Sequence, residues 1–133
     1  MSRIGELRRA LEGDANVRLA VLFGSAARGA LRDDSDLDVG VLGVPANRLS
    51  ALQLTLERAT RRPVDLVALE TSPPLLRFEI AREGHVLVER ESHLWSDFKA
   101  HAMIDWWDWA PTARLFHRAA AARLRDEARH GPA

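Results

Sequence analysis

The chain has 133 residues, enough for one domain that buries roughly two thirds of the surface its unfolded chain exposes, and too few for a second full module. Lysine plus arginine and aspartate plus glutamate both number 19, so no net field draws the protein to nucleic acid or to an anionic membrane, and any phosphate binding has to be local. Without cysteine there is neither a disulfide framework nor a thiolate metal site. With no apolar signal core in "MSRIGELRRALEG" and no run of roughly 18 apolar residues, the expectation is a cytoplasmic protein.

Ile4, Leu7 and Leu11 fall at helical spacing, with Arg8 and Arg9 turned outward and Gly13 closing the pattern, which predicts a first helix. "NVRLAVLF" (16–23) and "DLDVGVLGV" (36–44) read as strands, with room between them only for a turn or a short helix opening at Gly24-Ser25. Leu49, Leu52, Leu56 and Ala59 mark a second helix, a crossover to a third strand, "RPVDLVAL" (62–69). Ser72-Pro73-Pro74 signals a helix start, Gly84 ends that helix, and "HVLVER" (85–90) is the last strand. From Glu91 onward the signal is helical only. Trp95, Phe98, Ala102, Trp106, Trp109, Ala113 and Phe116 form a stripe expected to pack as core. Pro111 is expected to end or kink this helix near Ala110, with another from about Thr112 to Arg129. Trp107 lies off the stripe and is a candidate for a partner surface. The fold class is therefore α/β (α+β): a mixed four-stranded sheet with flanking helices, residues 1–90 forming the core and 91–133 a C-terminal helical extension of the same domain.

The chemistry concentrates in "LFGSAARGALRDDSDLDVGVL" (22–42). Residues two apart on a strand share a face with backbones separated by roughly 6.6 Å, so Asp36 and Asp38 lean to one side while Leu37 and Val39 lean to the other. Carboxylates crowded near an apolar core repel one another and call for a cation between them. Two such groups can bridge a pair of divalent ions roughly 3.5–4 Å apart, and hard oxygen ligands favour magnesium or manganese. An Asp-x-Asp alone is more often a polar turn entering a strand. Upstream, Gly24 lets the backbone approach a ligand, Ser25 offers a hydroxyl, and a short helix starting there would aim amide N–H groups at an anion such as a triphosphate. Arg28 could add a guanidinium, and Gly29 ends the turn. Taken singly, Gly24-Ser25 reads as an ordinary cap and Arg28 as a solvated charge.

Together, Gly24-Ser25, ten intervening residues and Asp36-x-Asp38, flanked by strands, resemble the signature of the DNA polymerase β-like nucleotidyltransferase superfamily. The fuller "GSAARGALRDDSDLDVGV" resembles the minimal nucleotidyltransferases (MNT), the antitoxin halves of HEPN–MNT toxin–antitoxin pairs, and "PPLLRFEIAREGHVLVER" resembles their helix-to-strand closing segment; the likeness spans about residues 3–90. It implies a third carboxylate on the next strand, where Asp65 stands, and transfer of AMP from ATP, with two Mg2+ (or Mn2+) ions, to a tyrosine hydroxyl of a cognate HEPN ribonuclease toxin. In that scheme Asp36 and Asp38 hold both metals, Asp65 holds the catalytic metal and helps deprotonate the acceptor, and Gly24, Ser25 and Arg28 bind the nucleotide. No direct nucleic acid or membrane partner is implied, and self-association is left open. Asp33 and Asp34 match no ligand position and belong to the turn. The chain has no tyrosine where family members often carry one in the C-terminal helix, which leaves Trp106 or Trp107 as candidates for that position. Two rival readings are a nucleotidyltransferase acting on a small molecule such as an aminoglycoside, and an antidote that silences its toxin by binding and occlusion alone. "RLRDEARH" (123–130) contains arginine–histidine spacings similar to the HEPN ribonuclease motif, here a chance product of an arginine-rich terminal helix with Arg114, Arg118, Arg125 and Arg129 along one face. His85, His93, His101 and His117 show no metal-ligand spacing.

Overall fold

In the computed structural model, which describes residues 2–29 and 36–111, the sheet is the element on which everything else is hung. The described elements run α1 (Arg3–Glu12), β1 (Leu19–Phe23), α2 (Gly24–Ala27), β2 (Leu37–Leu42), a 3-10 turn (Ala46–Arg48), α3 (Leu49–Thr60), β3 (Val64–Ala68), α4 (Pro74–Glu83) and β4 (His85–Glu89). A further helix, α5, covers 94–111. The strand order is β3-β2-β1-β4. β1 is antiparallel to both β2 and β4, while β2 and β3 are parallel, as their connection through α3 requires. The mixed four-stranded sheet with flanking helices is thus the architecture expected from the pattern of alternating strands and helices.

Both faces of the sheet are covered, so β1 is apolar throughout and all five of its residues are buried. On one face Leu7 and Leu11 of α1 and Leu52 and Leu56 of α3 pack against Ala20, Leu22, Leu37, Val39, Val41, Val64 and Leu66. On the other, Ile80 and Ala81 of α4 and Leu94, Phe98 and Ala102 of α5 pack against Leu19, Val21, Phe23 and Leu69. Side-chain alternation along β2 sends Leu37 and Val39 into the first core and leaves Asp38 on the second face, at the end of the strand that α4 and α5 do not bury.

The strand ends fall short of the expected spans. Residues 16–18 form a loop in which Val17 N–H bonds Asp14 O and Arg18 N–H bonds Leu42 O, and β2 and β3 each begin one or two residues late. The aromatic stripe needs a correction. Phe98 and Ala102 are buried, but Trp109 is exposed: the seam of α5 runs through Leu94, Phe98, Ala102 and Ala110, and Trp109 lies beside it, tilted against Trp106 at 5.5 Å. Trp106 is half-buried because it stacks on Phe78 of α4 at 5.0 Å. Trp107 is 71% exposed, in keeping with its place off the stripe. Pro111 is still helical; the helix expected beyond it, with Ala113 and Phe116, lies outside the described residues, as do Asp33 and Asp34.

α3 ends on Arg61, which adopts the left-handed conformation (φ 56°, ψ 37°) while its N–H bonds Glu57 O at 2.7 Å. A side chain in that region is disfavoured by roughly 1 kcal/mol relative to glycine. Arg61→Gly is therefore expected to stabilise the fold by about 0.5–1 kcal/mol, read as a higher urea midpoint with an unchanged slope.

Candidate active site

Asp38 is the centre of the site because three segments meet at it. It pairs with Phe23 across the antiparallel β1 ladder and with Asp65 across the parallel β3 ladder. Neighbouring strands lie about 4.8 Å apart, so this register sets the Asp38 and Asp65 backbones side by side, with both side chains on the face opposite Leu37, Val39, Val64 and Leu66. Asp36 immediately precedes β2 and shares that face by alternation. Asp38 is half-buried, whereas Asp36 and Asp65 are exposed.

The electrostatic consequence falls on Asp38. Burial raises its carboxyl above the ordinary carboxylate value, the charges of Asp65 and then Asp36 raise it further, and only the Arg28 guanidinium pulls it back. The folded protein thus holds a carboxylate group that is uncomfortable when ionised.

The segment after β1 is shaped around that carboxylate. Gly24 has φ +72°, and a Cβ there would collide with Asp38 Oδ2 and lie 3.1 Å from its Cγ. A residue with a side chain is therefore disfavoured by conformation, and it would also push the Asp38 carboxylate aside. Gly24 opens α2, a single turn that carries Ser25 and has no side-chain cap at its start. Arg28 closes it, and its Nη1 lies 3.1 Å from both Oε1 and Oε2 of Glu83 on α4. Sequence reasoning missed Glu83. The available signal was an acid at the last position of a helix, against the helix dipole.

The structure brings Asp36, Asp38, Asp65, Gly24, Ser25 and Arg28 to one end of the sheet. Among the described residues no three carboxylate or imidazole groups close into a ready-made cation cage. The aspartates form an open array of hard oxygen donors instead, which suits Mg2+: that ion is typically held by one or two carboxylates plus the phosphates of its substrate. The donor set therefore fits a magnesium–nucleotide complex. Of the histidines, His93 is engaged elsewhere, with Nδ1 3.0 Å from Asp97 Oδ2 and Nε2 3.0 Å from Glu91 Oε2, and these hydrogen bonds hold its pKa above the ordinary value.

Residues 6–93 match the family model described as polymerase beta, nucleotidyltransferase. No curated protein sequence matches the chain significantly. Among solved structures, the fold superposes on a chain of a toxin–antitoxin complex crystallised with AMP-PNP, with TM-score 0.76 and 20% identity over 88% of this chain and 98% of that one. It also superposes on a chain of the MntA–HepT toxin–antitoxin complex (TM-score 0.70, 19% identity, 89% and 97% covered). A third match is a chain of the complex between a tri-AMPylated Shewanella oneidensis HEPN toxin and its MNT antitoxin (TM-score 0.71, 19% identity, 89% and 96% covered). At these identities the likeness is one of fold.

Two predictions follow from the geometry around Asp38. Because its folded-state pKa is raised, its contribution to stability is fully present below the unfolded value near 3.8 and is lost as pH rises through the folded pKa. Asp38→Asn should therefore raise the melting temperature at pH 7 in EDTA, and the gain should vanish as pH falls below about 3.8. Gly24→Ala, which drives a methyl group into Asp38, should destabilise the fold by about 1–3 kcal/mol and lower the response of the melting temperature to magnesium plus ATP.

Proposed function

This chain belongs to the polymerase β nucleotidyltransferase family, and from that premise we propose that it transfers AMP from ATP to a tyrosine hydroxyl of a cognate HEPN ribonuclease toxin and thereby acts as the antitoxin. The observation that carries the reading is the in-register pair Asp38 and Asp65 beside Asp36, facing the Gly24–Ser25 turn at one end of the sheet. The choice of acceptor is supported by the solved relatives of like fold, which come from toxin–antitoxin complexes, one of them with an AMPylated toxin.

In this mechanism Asp36, Asp38 and Asp65 would hold the magnesium ions, which when bound would supply charge neutralisation to the triphosphate. The Gly24–Ser25 backbone and the Ser25 hydroxyl orient the phosphates, and the Arg28 guanidinium adds a cation at their edge. Asp65, exposed on the edge strand, would accept the proton of the incoming hydroxyl in this scheme. The acceptor oxygen attacks the α-phosphorus in line. The bond from that phosphorus to the α,β-bridging oxygen breaks, and pyrophosphate leaves with the electron pair. In this reading the acceptor hydroxyl is delivered by the toxin itself. Exposed Trp107 and Ile104 on α5 are the docking candidates.

Mixing this protein with a candidate cognate HEPN toxin, magnesium and ATP should add one or more AMP increments to the HEPN chain by intact mass, with loss of its ribonuclease activity. Asp36→Asn should slow the addition on the order of a hundredfold or more. Silencing of the ribonuclease without a mass change, achieved equally by Asp36→Asn, would replace transfer with occlusion.

A further inference from the structure

Arg28 and Glu83 form an ion pair whose two sides are built differently. Glu83 is the last residue of α4, and its side chain is only 19% exposed, against 58% for Arg28. The chain leaving Glu83 is locked: Gly84 N–H bonds Ile80 O at 2.8 Å, and a Cβ at Gly84 would sit 2.5 Å from both Ile80 O and Val21 Cγ1. The space beside Gly84 is filled by α4 backbone and by Val21, so the exit from α4 is tightly packed just after Glu83. Arg28, by contrast, closes the single turn α2. Glu83 is thus the more buried anchor of the pair and Arg28 its solvent-facing partner.

The pair is poorly explained as a stabilising device. An exposed ion pair contributes little, and a carboxylate at a helix C-terminus opposes the helix dipole. Its geometry is more informative. Both contacts, to Oε1 and Oε2, use the same guanidinium nitrogen, Nη1. A guanidinium carries five N–H donors, so the Nε and Nη2 groups stand outside this pairing. Arg28 closes the turn that opens at Gly24 beside Asp38, and its charge favours the ionised Asp38 carboxyl.

We propose that Glu83 is a positioning residue for nucleotidyl transfer: it grips Arg28 through Nη1 and thereby aims the remaining N–H donors at the triphosphate docked over Gly24 and Ser25. This rests on the nucleotide reading given above. Without Glu83 the cation is still present, and even less neutralised, so ground-state attraction for ATP survives. Its orientation toward the reacting phosphates does not. Loss of the anchor therefore costs rate and not affinity.

The test compares wild type, Glu83→Gln, Arg28→Ala and the double variant by the affinity for a fluorescent ATP analogue with Mg2+ and by the rate of AMP addition to the HEPN protein. Thermal denaturation checks that each variant folds. Glu83→Gln should bind the analogue at least as tightly as wild type while transferring AMP about tenfold more slowly, and in the Arg28→Ala background it should slow transfer no further. An unchanged rate in Glu83→Gln, a parallel loss of affinity and rate, or the same rate loss without Arg28 would overturn the role of Glu83. Failure of wild type itself to bind the analogue would instead overturn the nucleotide reading, and this proposal with it.

Discussion

Carboxylate repulsion is the constraint around which this small domain is organised. Asp38 sits half-buried at the end of a strand whose neighbours Leu37 and Val39 are fully buried, with Asp65 in register beside it and Asp36 two residues away. Burial and its two acidic neighbours work against ionising that group, and only Arg28 favours it. The sheet imposes the arrangement all the same. Pairing Leu37 with Val64 and Val39 with Leu66 fills the core under α1 and α3, and by alternation the same register forces Asp38 and Asp65 together on the opposite face. Hydrophobic burial thus holds the acids where electrostatics alone would separate them.

The surrounding features read as responses to that arrangement. Gly24 gives the Asp38 carboxylate room that any side chain would take away. Arg28 offsets part of its unfavourable charge, and Glu83 in turn holds Arg28. The other end of the sheet carries no comparable tension. There Arg90 donates to Val17 O and Glu12 O at 2.8 Å each, a conventional tie between the last strand and the loop after α1.

Much of this was legible in the residues because binary pattern and punctuation agree. The 3.6-residue spacing of Leu7 and Leu11 or Leu52 and Leu56, the apolar run of β1, and the stops at Gly13 and Gly84 fix the order of elements. The aspartates stood out because acids at period 2 entering an apolar strand follow Gly24-Ser25 at a spacing that a polar turn alone does not require. What the sequence did not disclose is contact across the fold. The Arg28–Glu83 pair joins residues 55 positions apart, and no local spacing encodes it. The Asp38–Asp65 register depends on where β3 starts against β2, which periodicity locates only to within a residue or two. The expectation for Trp109 fails for a related reason: a stripe drawn at steps of three and four is wide, and spacing alone does not say that Ala110 rather than Trp109 forms its buried edge.

The account rests on one physical claim, that the aspartate array is completed by a divalent ion together with nucleotide phosphates. Calorimetric titration of Mg2+ into the protein, with and without a non-hydrolysable ATP analogue, tests it most directly. The open array predicts weak binding of Mg2+ alone, binding at least tenfold tighter with the analogue present, and loss of that enhancement in Asp38→Asn. Equal Mg2+ affinity with and without the analogue, or an enhancement that survives Asp38→Asn, would contradict it.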